Sequence, residues 1–258
     1  MSQESRKWRN IIPQNRSILG GRMRGIGLIG GMSWESSRLY YEILNREVKA
    51  RLGGLHSAKI VMVSVDFAPV EACLKAGDWQ GIEQVLVPAA RQLEAAGAEC
   101  ILLCTNTMHQ IAAQIAGAVS VPFFHIIDAL GKALQADGRR TAGLLGTAST
   151  MANQGYQQML SHHYGVSCLI PEAAEAEEIN QIIFSELCVG VISDTSRQRY
   201  LEIIGNLHQR GADSIIMGCT EIALLISADD SELPLYDTTT LHATDAVRWA
   251  LSDTAAEH

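Results

Sequence analysis

The stretch Gly97-Ala-Glu-Cys-Ile-Leu-Leu-Cys-Thr105 returns later in the chain as Gly211-Ala-Asp-Ser-Ile-Ile-Met-Gly-Cys219. Each copy is a short apolar run with glycine before it and polar residues after it, the pattern of a buried strand. At nearly the same offset, Gly27-Leu-Ile-Gly-Gly-Met-Ser33 resembles Gly143-Leu-Leu-Gly-Thr-Ala-Ser149. The chain is therefore predicted to consist of two related halves, in which Thr105 and Cys219 occupy equivalent positions.

Short apolar runs alternate with helical patterns from Met23 onward, which is the signature of βα units and a mainly parallel sheet. The predicted strands are Ile26–Ile29, Lys59–Val65, Glu99–Leu103, Thr141–Leu145, Val166–Ile170, Ser214–Met217 and Leu233–Tyr236. The predicted helices are Ser33–Arg51, 79–96, Asn106–Ala116, 151–164, 175–188, 195–210, Glu221–Ile226 and His242–Leu251. The expected fold class is α/β, with two similar three-layer α/β domains related by a pseudo-twofold and the active site in the cleft between them.

The Val121-Pro122 dipeptide is predicted to mark the seam between the halves. We expect a first α/β domain over residues 23–121 and 235–258 and a second over 122–234, because the last segment follows a completed second half. Residues 1–22 are basic but lack the apolar h-region of a signal peptide. They are predicted to be a disordered N-terminal extension, or sequence upstream of a true start at Met23.

The composition argues against several classes of partner and site. With a net charge of −8 over 258 residues and no basic stripe, neither nucleic acid nor an anionic membrane is an expected partner. No apolar run approaches the ~18 residues needed to span a bilayer. The six cysteines show no CxxC and no paired Cys/His spacing, so neither a metal site nor a disulfide framework is expected. Unpaired cysteines favour a reducing, cytoplasmic location.

Polar residues follow both repeat strands at the point where each strand ends and a predicted helix begins. Ligands of open α/β sheets bind outside the carboxyl ends of the strands, and free N–H groups at a helix start attract anions. The Gly30–Ser33 turn, with Ser33 as a helix N-cap, can also contact a ligand, although turn chemistry alone explains it equally well. The candidate site residues are Thr105, Asn106 and Thr107 in the first half, Cys219, Thr220 and Glu221 in the second half, and Met32 and Ser33 in the turn.

Cys219 is the candidate general base. A thiol beside a helix start can have its pKa lowered from about 8.5 to ~3.5–7.5, which yields a usable thiolate. The charge of Glu221 opposes this, unless its side chain turns outward to cap its own helix. A packed core cysteine is the structural alternative. His109 and His242 are placed near the cleft, and structural roles are expected of them.

Cys104 is the more conspicuous cysteine, yet the repeat aligns it with Gly218 and aligns Thr105 with Cys219. Because side chains alternate along a strand, Cys100 and Cys104 share one face while Thr105 lies on the other. Cys104 is therefore assigned to packing, and Thr105 is taken as the partner of Cys219.

The motifs Gly27-Leu-Ile-Gly-Gly-Met32, Thr105-Asn-Thr-Met-His109 and Gly218-Cys-Thr-Glu-Ile222 together resemble the cofactor-independent aspartate/glutamate racemase family. The resemblance spans about Met23 to Leu251 and implies an isomerase of amino-acid metabolism that makes or uses D-amino acids. Such proteins have two similar α/β domains with the site between them and need no cofactor. They often form homodimers, and they use two cysteines to remove and return the α-proton.

This chain departs from the family pattern in two places. Thr105 stands where the first cysteine is expected, which resembles the L-aspartate/glutamate-specific branch and implies Cys219 as base and Thr105 as opposite-face acid. After the second strand, Ser64-Val-Asp-Phe-Ala-Pro69 replaces the Asn-Pro and Arg segment that grips the distal carboxylate. Arg51 and Lys75 are guesses at a replacement, so aspartate, glutamate and neutral analogues such as homoserine stay open as substrates.

Two other functions are compatible with the residues. One is a decarboxylase or isomerase of the same superfamily that uses a single cysteine. The other is a non-catalytic module that binds an amino acid. An intact Cys219 with polar residues after it weighs against the second alternative.

Overall fold

The computed structural model describes residues 22–252. The extension predicted over 1–22 therefore falls, apart from Arg22, outside the described residues. Within them, no helix is both long enough and apolar enough to cross a lipid bilayer.

The first half is built on a four-stranded parallel sheet in the order β2-β1-β3-β4. Its strands are β1 (Ile26–Gly30), β2 (Ile60–Ser64), β3 (Cys100–Leu103) and β4 (Phe123–Phe124). Its helices are α1 (Trp34–Leu52), α2 (Phe67–Ala76), α3 (Trp79–Ala95) and α4 (Ala112–Gly117), the last preceded by a 3-10 turn at Thr107–Ile111.

The second half repeats this architecture, with a parallel sheet in the order β6-β5-β7-β8. Its strands are β5 (Thr141–Leu145), β6 (Ser167–Leu169), β7 (Ser214–Met217) and β8 (Leu235–Asp237). The remaining helices are α5 (Ile126–Ala136), α6 (Ala148–Met151), α7 (Gln154–Tyr164), α8 (Ala173–Ser185), α9 (Asp194–Gln209), α10 (Ile222–Leu225) and α11 (Thr238–Ala250). Equal strand order in the two sheets confirms the predicted pair of similar α/β halves.

Strand pairing shifts both predicted seams. Phe123–Phe124 pairs with β3, so the first sheet extends past residue 121. Leu235–Asp237 pairs with β7, so the second sheet extends past residue 234. β4 has only two residues, which are too few for a periodic pattern in the sequence, whereas β8 overlaps the predicted strand Leu233–Tyr236, within which the predicted boundary fell.

The chain returns to the first half in α11, one helical turn earlier than predicted. Asp237 caps this helix by accepting the Thr239 N–H at 3.0 Å, which moves its start forward from His242. Small residues of α11, such as Ala243 and Ala246, pack against Tyr40 of α1.

Neither α2 nor α5 is predicted by the sequence patterns. Pro69 lies in the first turn of α2, where backbone N–H groups make no intrahelical hydrogen bond, so proline is tolerated there. Asp66 caps the helix. Gly131 lies inside α5 because a Cβ there would come within 2.2 Å of the Tyr164 ring. Proline and glycine, which usually interrupt helical patterns, are here accommodated by position and by packing.

The two faces of the first sheet carry separate apolar clusters. Ile101 and Leu103 pack in one cluster, whereas Cys100, Leu102 and Cys104 pack in the other. Cys104 is fully buried, and burial raises its pKa well above the usual range. The assignment of Cys104 to packing agrees with this placement.

Candidate active site

The carboxyl ends of the central strands β1, β3 and β7 meet at a cavity of about 610 Å³ between the two halves. Parallel strands bring the loops after them to one edge of the sheet, which explains why distant segments converge here. All eight residues singled out from the sequence line this cavity: Met32, Ser33, Thr105, Asn106, Thr107, Cys219, Thr220 and Glu221.

The turn after β1 needs glycine. Gly31 has φ of 96°, and a Cβ there would lie 2.1 Å from the Val65 carbonyl oxygen. This close approach sets the position of Ser33, which caps α1 by accepting the Ser36 N–H at 3.2 Å. Ser33 Oγ also donates to Glu221 Oε1 at 3.2 Å, so it forms a hydrogen bond from the first half to the second.

Glu221 is buried and points into the site. Its Oε2 accepts hydrogen bonds from Cys219 Sγ at 3.0 Å and from Thr220 Oγ1 at 2.5 Å. Its side chain makes no cap bond to α10, so the outward orientation considered for it is not adopted. The carboxylate instead contacts the thiol directly.

The pKa of Cys219 is raised well above its ordinary value, first by burial and then by the charge and hydrogen bond of Glu221. The lowered pKa expected from the helix start is therefore wrong for the free protein. The helix that follows has only four residues, and a full negative charge at 3.0 Å outweighs the partial charge of its N–H groups. In the free protein the thiol keeps its proton, with Glu221 beside it as acceptor.

Thr105 is positioned through its backbone. His109 Nε2 accepts the Ile126 N–H at 3.2 Å, so the ring proton is on Nδ1, which donates to the Thr105 carbonyl at 2.7 Å. Burial, followed by His125 and His242, holds the pKa of His109 well below its ordinary value. A neutral His109 thus ties Thr105 to the start of α5.

Thr107 and Asn106 contact the second half. Thr107 Oγ1 lies 3.2 Å from Thr150 Oγ1, and Asn106 Nδ2 donates to Thr238 Oγ1 at 3.0 Å. Thr238 was not singled out from the sequence. The signal was available, because Thr238 follows the carboxyl end of β8, where ligand-facing residues of such sheets occur.

Few charged side chains line the cavity. Besides Glu221, Glu71 and Lys75 of α2 reach it, and these two form an exposed ion pair at 2.8 Å. Arg51 does not line the cavity and pairs with Glu47 on α1, so it does not replace the missing arginine. The rest of the wall is largely apolar and includes Met32, Phe67, Leu74, Met108, Ile183 and Phe184.

Residues 29–246 match the model of the Asp/Glu/hydantoin racemase family. The chain belongs to that family. A solved structure of a candidate Asp/Glu racemase from Yersinia pestis is 47% identical, with a TM-score of 0.84 over 89% of this chain and 100% of that one. An aspartate racemase homologue from Pyrococcus horikoshii OT3 is 31% identical, with a TM-score of 0.77 over 88% of this chain and 99% of that one.

Another relative is the broad specificity amino-acid racemase RacX of Bacillus subtilis (strain 168). It is 25% identical over 173 residues, which span 66% of this chain and 73% of the relative. Membership of the Asp/Glu/hydantoin racemase family confirms the resemblance found in the motifs and indicates that this chain is a racemase, which is an isomerase.

Proposed function

We propose that this protein racemises amino acids without a cofactor, using Cys219 and Thr105 on opposite faces of the substrate's α-carbon. The observation that carries the proposal is that Thr105 and Cys219, which follow equivalent strands in the two halves, line one cavity. Family membership supports the reaction class. No observation favours a decarboxylase or a non-catalytic binding module.

The first proton transfer uses the Cys219–Glu221 pair. The thiol proton passes to Glu221 Oε2, 3.0 Å away, and leaves a thiolate. The thiolate then takes the α-proton of the L-enantiomer, so that the electron pair of the C–H bond remains on the α-carbon as a carbanion. A neighbouring carboxylate that accepts the proton is how a buried thiol of raised pKa can still act as a base.

The second transfer uses Thr105. Its hydroxyl proton is donated to the opposite face of the carbanion, giving the D-enantiomer and an alkoxide that takes a proton from water. The hydroxide left behind takes the proton that Glu221 accepted from Cys219, which restores the starting state. A neutral hydroxyl is a poor base, so removal of the α-proton from the D-enantiomer is slower at this residue. Because enantiomers have equal free energy, kcat/KM must be equal in the two directions. The proposed preference for L-substrates is therefore a higher kcat offset by a higher KM, and it does not shift the equilibrium.

Stabilisation of the carbanion is assigned mainly to backbone N–H groups of the strand-end segments at Thr107 and Thr220. The Thr220 hydroxyl already donates to Glu221, and the Asn106 amide nitrogen already donates to Thr238. Removing one preorganised donor of this kind typically costs ~2.7–4 kcal/mol in the transition state.

Aspartate and glutamate are the proposed substrates, on the strength of the family and of its members named for these amino acids. Lys75 is the cationic side chain among the described residues that lines the cavity, and it is proposed to contact the distal carboxylate. The apolar wall and the broad specificity of the Bacillus subtilis relative support a neutral side chain such as that of homoserine as well. A homodimer is proposed from the resemblance, and a cytoplasmic location is proposed from the unpaired cysteines.

The test is α-proton exchange in D2O, followed by NMR, with handedness followed by chiral chromatography. Cys219→Ser is expected to lose ~10²–10⁴-fold in both exchange and racemisation of the L-substrate, as for loss of a general base. Cys73→Ser, which removes a partly buried thiol outside the cavity, is the matched control and should keep both. Absence of exchange with aspartate, glutamate and homoserine in the wild type would refute the proposal.

Thr105→Ala separates the two transfers. Cys219 can still remove the α-proton of the L-enantiomer and return deuterium to the same face, so exchange should continue while the D-product disappears. Thr105→Cys should instead raise kcat for the D-enantiomer. Continued racemisation by Thr105→Ala would eliminate Thr105 as the opposite-face acid.

A further inference from the structure

Thr238 contacts functional segments of both halves with a single hydroxyl. It is the first residue of α11, is 0% exposed, and its Oγ1 donates to the Met217 carbonyl at 2.9 Å. The same oxygen lies 3.0 Å from Asn106 Nδ2. Met217 ends β7 two residues before Cys219, and Asn106 follows Thr105, so the hydroxyl links the two strand ends of the site.

The direction of these hydrogen bonds determines how the Asn106 amide faces. A threonine hydroxyl has one hydrogen, and here the Met217 carbonyl, which can only accept, takes it. Toward Asn106 the Thr238 oxygen can therefore only accept, so Asn106 must present its NH2 group. The opposite orientation of the amide would bring two acceptor oxygens together.

The carbonyl oxygen of the Asn106 side chain accepts no hydrogen bond from the described residues. Asn106 Oδ1 is buried and has no hydrogen-bond partner among residues 22–252, although Asn106 lines the cavity. A buried acceptor that lacks a donor is unfavourable, and native structures rarely keep one without a role. A ligand of this cavity that brings an N–H group would satisfy it.

An amino acid has one such group at its α-carbon, the ammonium, since the α-carboxylate can only accept. We propose that Thr238 is a positioning residue that holds Asn106 with Oδ1 available to the substrate's α-ammonium. This inference rests on the proposed racemase function. Without Thr238, the amide is free to rotate and to present its NH2 group, which repels the ammonium.

The test compares each amino acid with its analogue that lacks the α-ammonium: aspartate with succinate, glutamate with glutarate, and homoserine with 4-hydroxybutyrate. For the amino acid that exchanges fastest, KM and kcat are measured by exchange in D2O, and the deaminated analogue is measured as a competitive inhibitor. Thr238→Val removes the hydroxyl at nearly constant shape, and Thr238→Ser retains it. Thr239→Val, an equally buried threonine 1% exposed and outside the cavity, is the matched control.

In Thr238→Val we expect KM to rise about tenfold or more, with a smaller change in kcat and less than a threefold change in the Ki of the analogue. Thr238→Ser and Thr239→Val should keep KM and Ki within threefold of wild type. A purely structural role of Thr238 would raise KM and Ki together, or change only the thermal unfolding temperature, and either result would overturn the inference.

If Thr238→Val does not fold, Asn106→Leu removes Oδ1 directly while Thr238 stays intact. It should show the same selective rise of KM over Ki, and equal changes would overturn the inference. A wild-type protein that exchanges none of the three amino acids refutes the proposed function itself. An active wild type whose variants lack the selective effect refutes only the role of Thr238.

Discussion

His242 makes the stability of the fold depend on pH. Its ring is fully buried among α11, α1 and β4, where Nδ1 accepts from the Tyr40 hydroxyl at 2.9 Å and Nε2 donates to the Phe124 carbonyl at 2.8 Å. Burial is the main reason that the pKa of His242 falls to about 4, with His125 adding to the effect. The Phe124 carbonyl and Asp128 act in the opposite direction without restoring the ordinary value.

Stability falls at low pH because the unfolded chain binds a proton at His242 more readily than the folded protein does. The unfolded chain takes up a proton at this residue near pH 6.5, whereas the folded protein does so only near pH 4. The contribution of His242 to the free energy of unfolding is therefore complete above about pH 6.5 and is lost as the pH falls toward 4. At ~1.36 kcal/mol per pKa unit the full loss is about 3 kcal/mol, of which about 2 kcal/mol is lost by pH 5. His109, whose pKa is also lowered, acts in the same direction.

Urea unfolding at pH 7.5, 6 and 5 measures this loss. His242→Gln keeps one acceptor and one donor for Tyr40 and Phe124 but does not titrate, so its stability should fall by about 2 kcal/mol less than wild type between pH 7.5 and 5. His208→Gln, on the exposed surface of α9, is the control and should follow the wild type. Equal losses in His242→Gln and wild type would refute the assignment.

Three further predictions concern the site. Glu221→Gln removes the charge that raises the pKa of Cys219, so alkylation of this thiol by iodoacetamide at pH 8 should become several-fold faster while racemisation slows; an unchanged alkylation rate would contradict this. Gly31→Ala brings a Cβ within 2.1 Å of the Val65 carbonyl and should cost about 2 kcal/mol or more, measured by thermal unfolding; an unchanged melting temperature would exclude the clash. Lys75→Ala should raise KM for aspartate and glutamate but not for homoserine, and a parallel rise for all three would rule out contact with the distal carboxylate.

The sequence was most informative where the structure repeats itself. The repeated stretch predicts two halves of the same architecture, and the two sheets do have the same strand order. Alternation of side chains along β3 separates Cys104 from Thr105 on sequence grounds alone. The eight residues chosen by strand ends and turn chemistry do line one cavity.

What could not be predicted depends on contacts between distant segments. Whether Glu221 turns inward depends on Ser33, which lies in the other half and accounts for one of its hydrogen bonds. The role of Thr238 depends on Asn106 and Met217 arriving at the same hydroxyl. Short strands such as β4 exist because a neighbouring strand pairs with them, and two residues carry no periodic signal of their own.

The hydrogen bond from Ser33 to Glu221 makes the acid–base state of the thiol sensitive to the geometry of the whole molecule. Ser33 follows β1 of the first sheet, and Glu221 follows β7 of the second. A motion that widened the cleft would break this bond and admit water to the carboxylate, which would weaken its hydrogen bond with the Cys219 thiol. The width of the cleft would then control both the entry of substrate and the proton affinity of the Cys219–Glu221 pair.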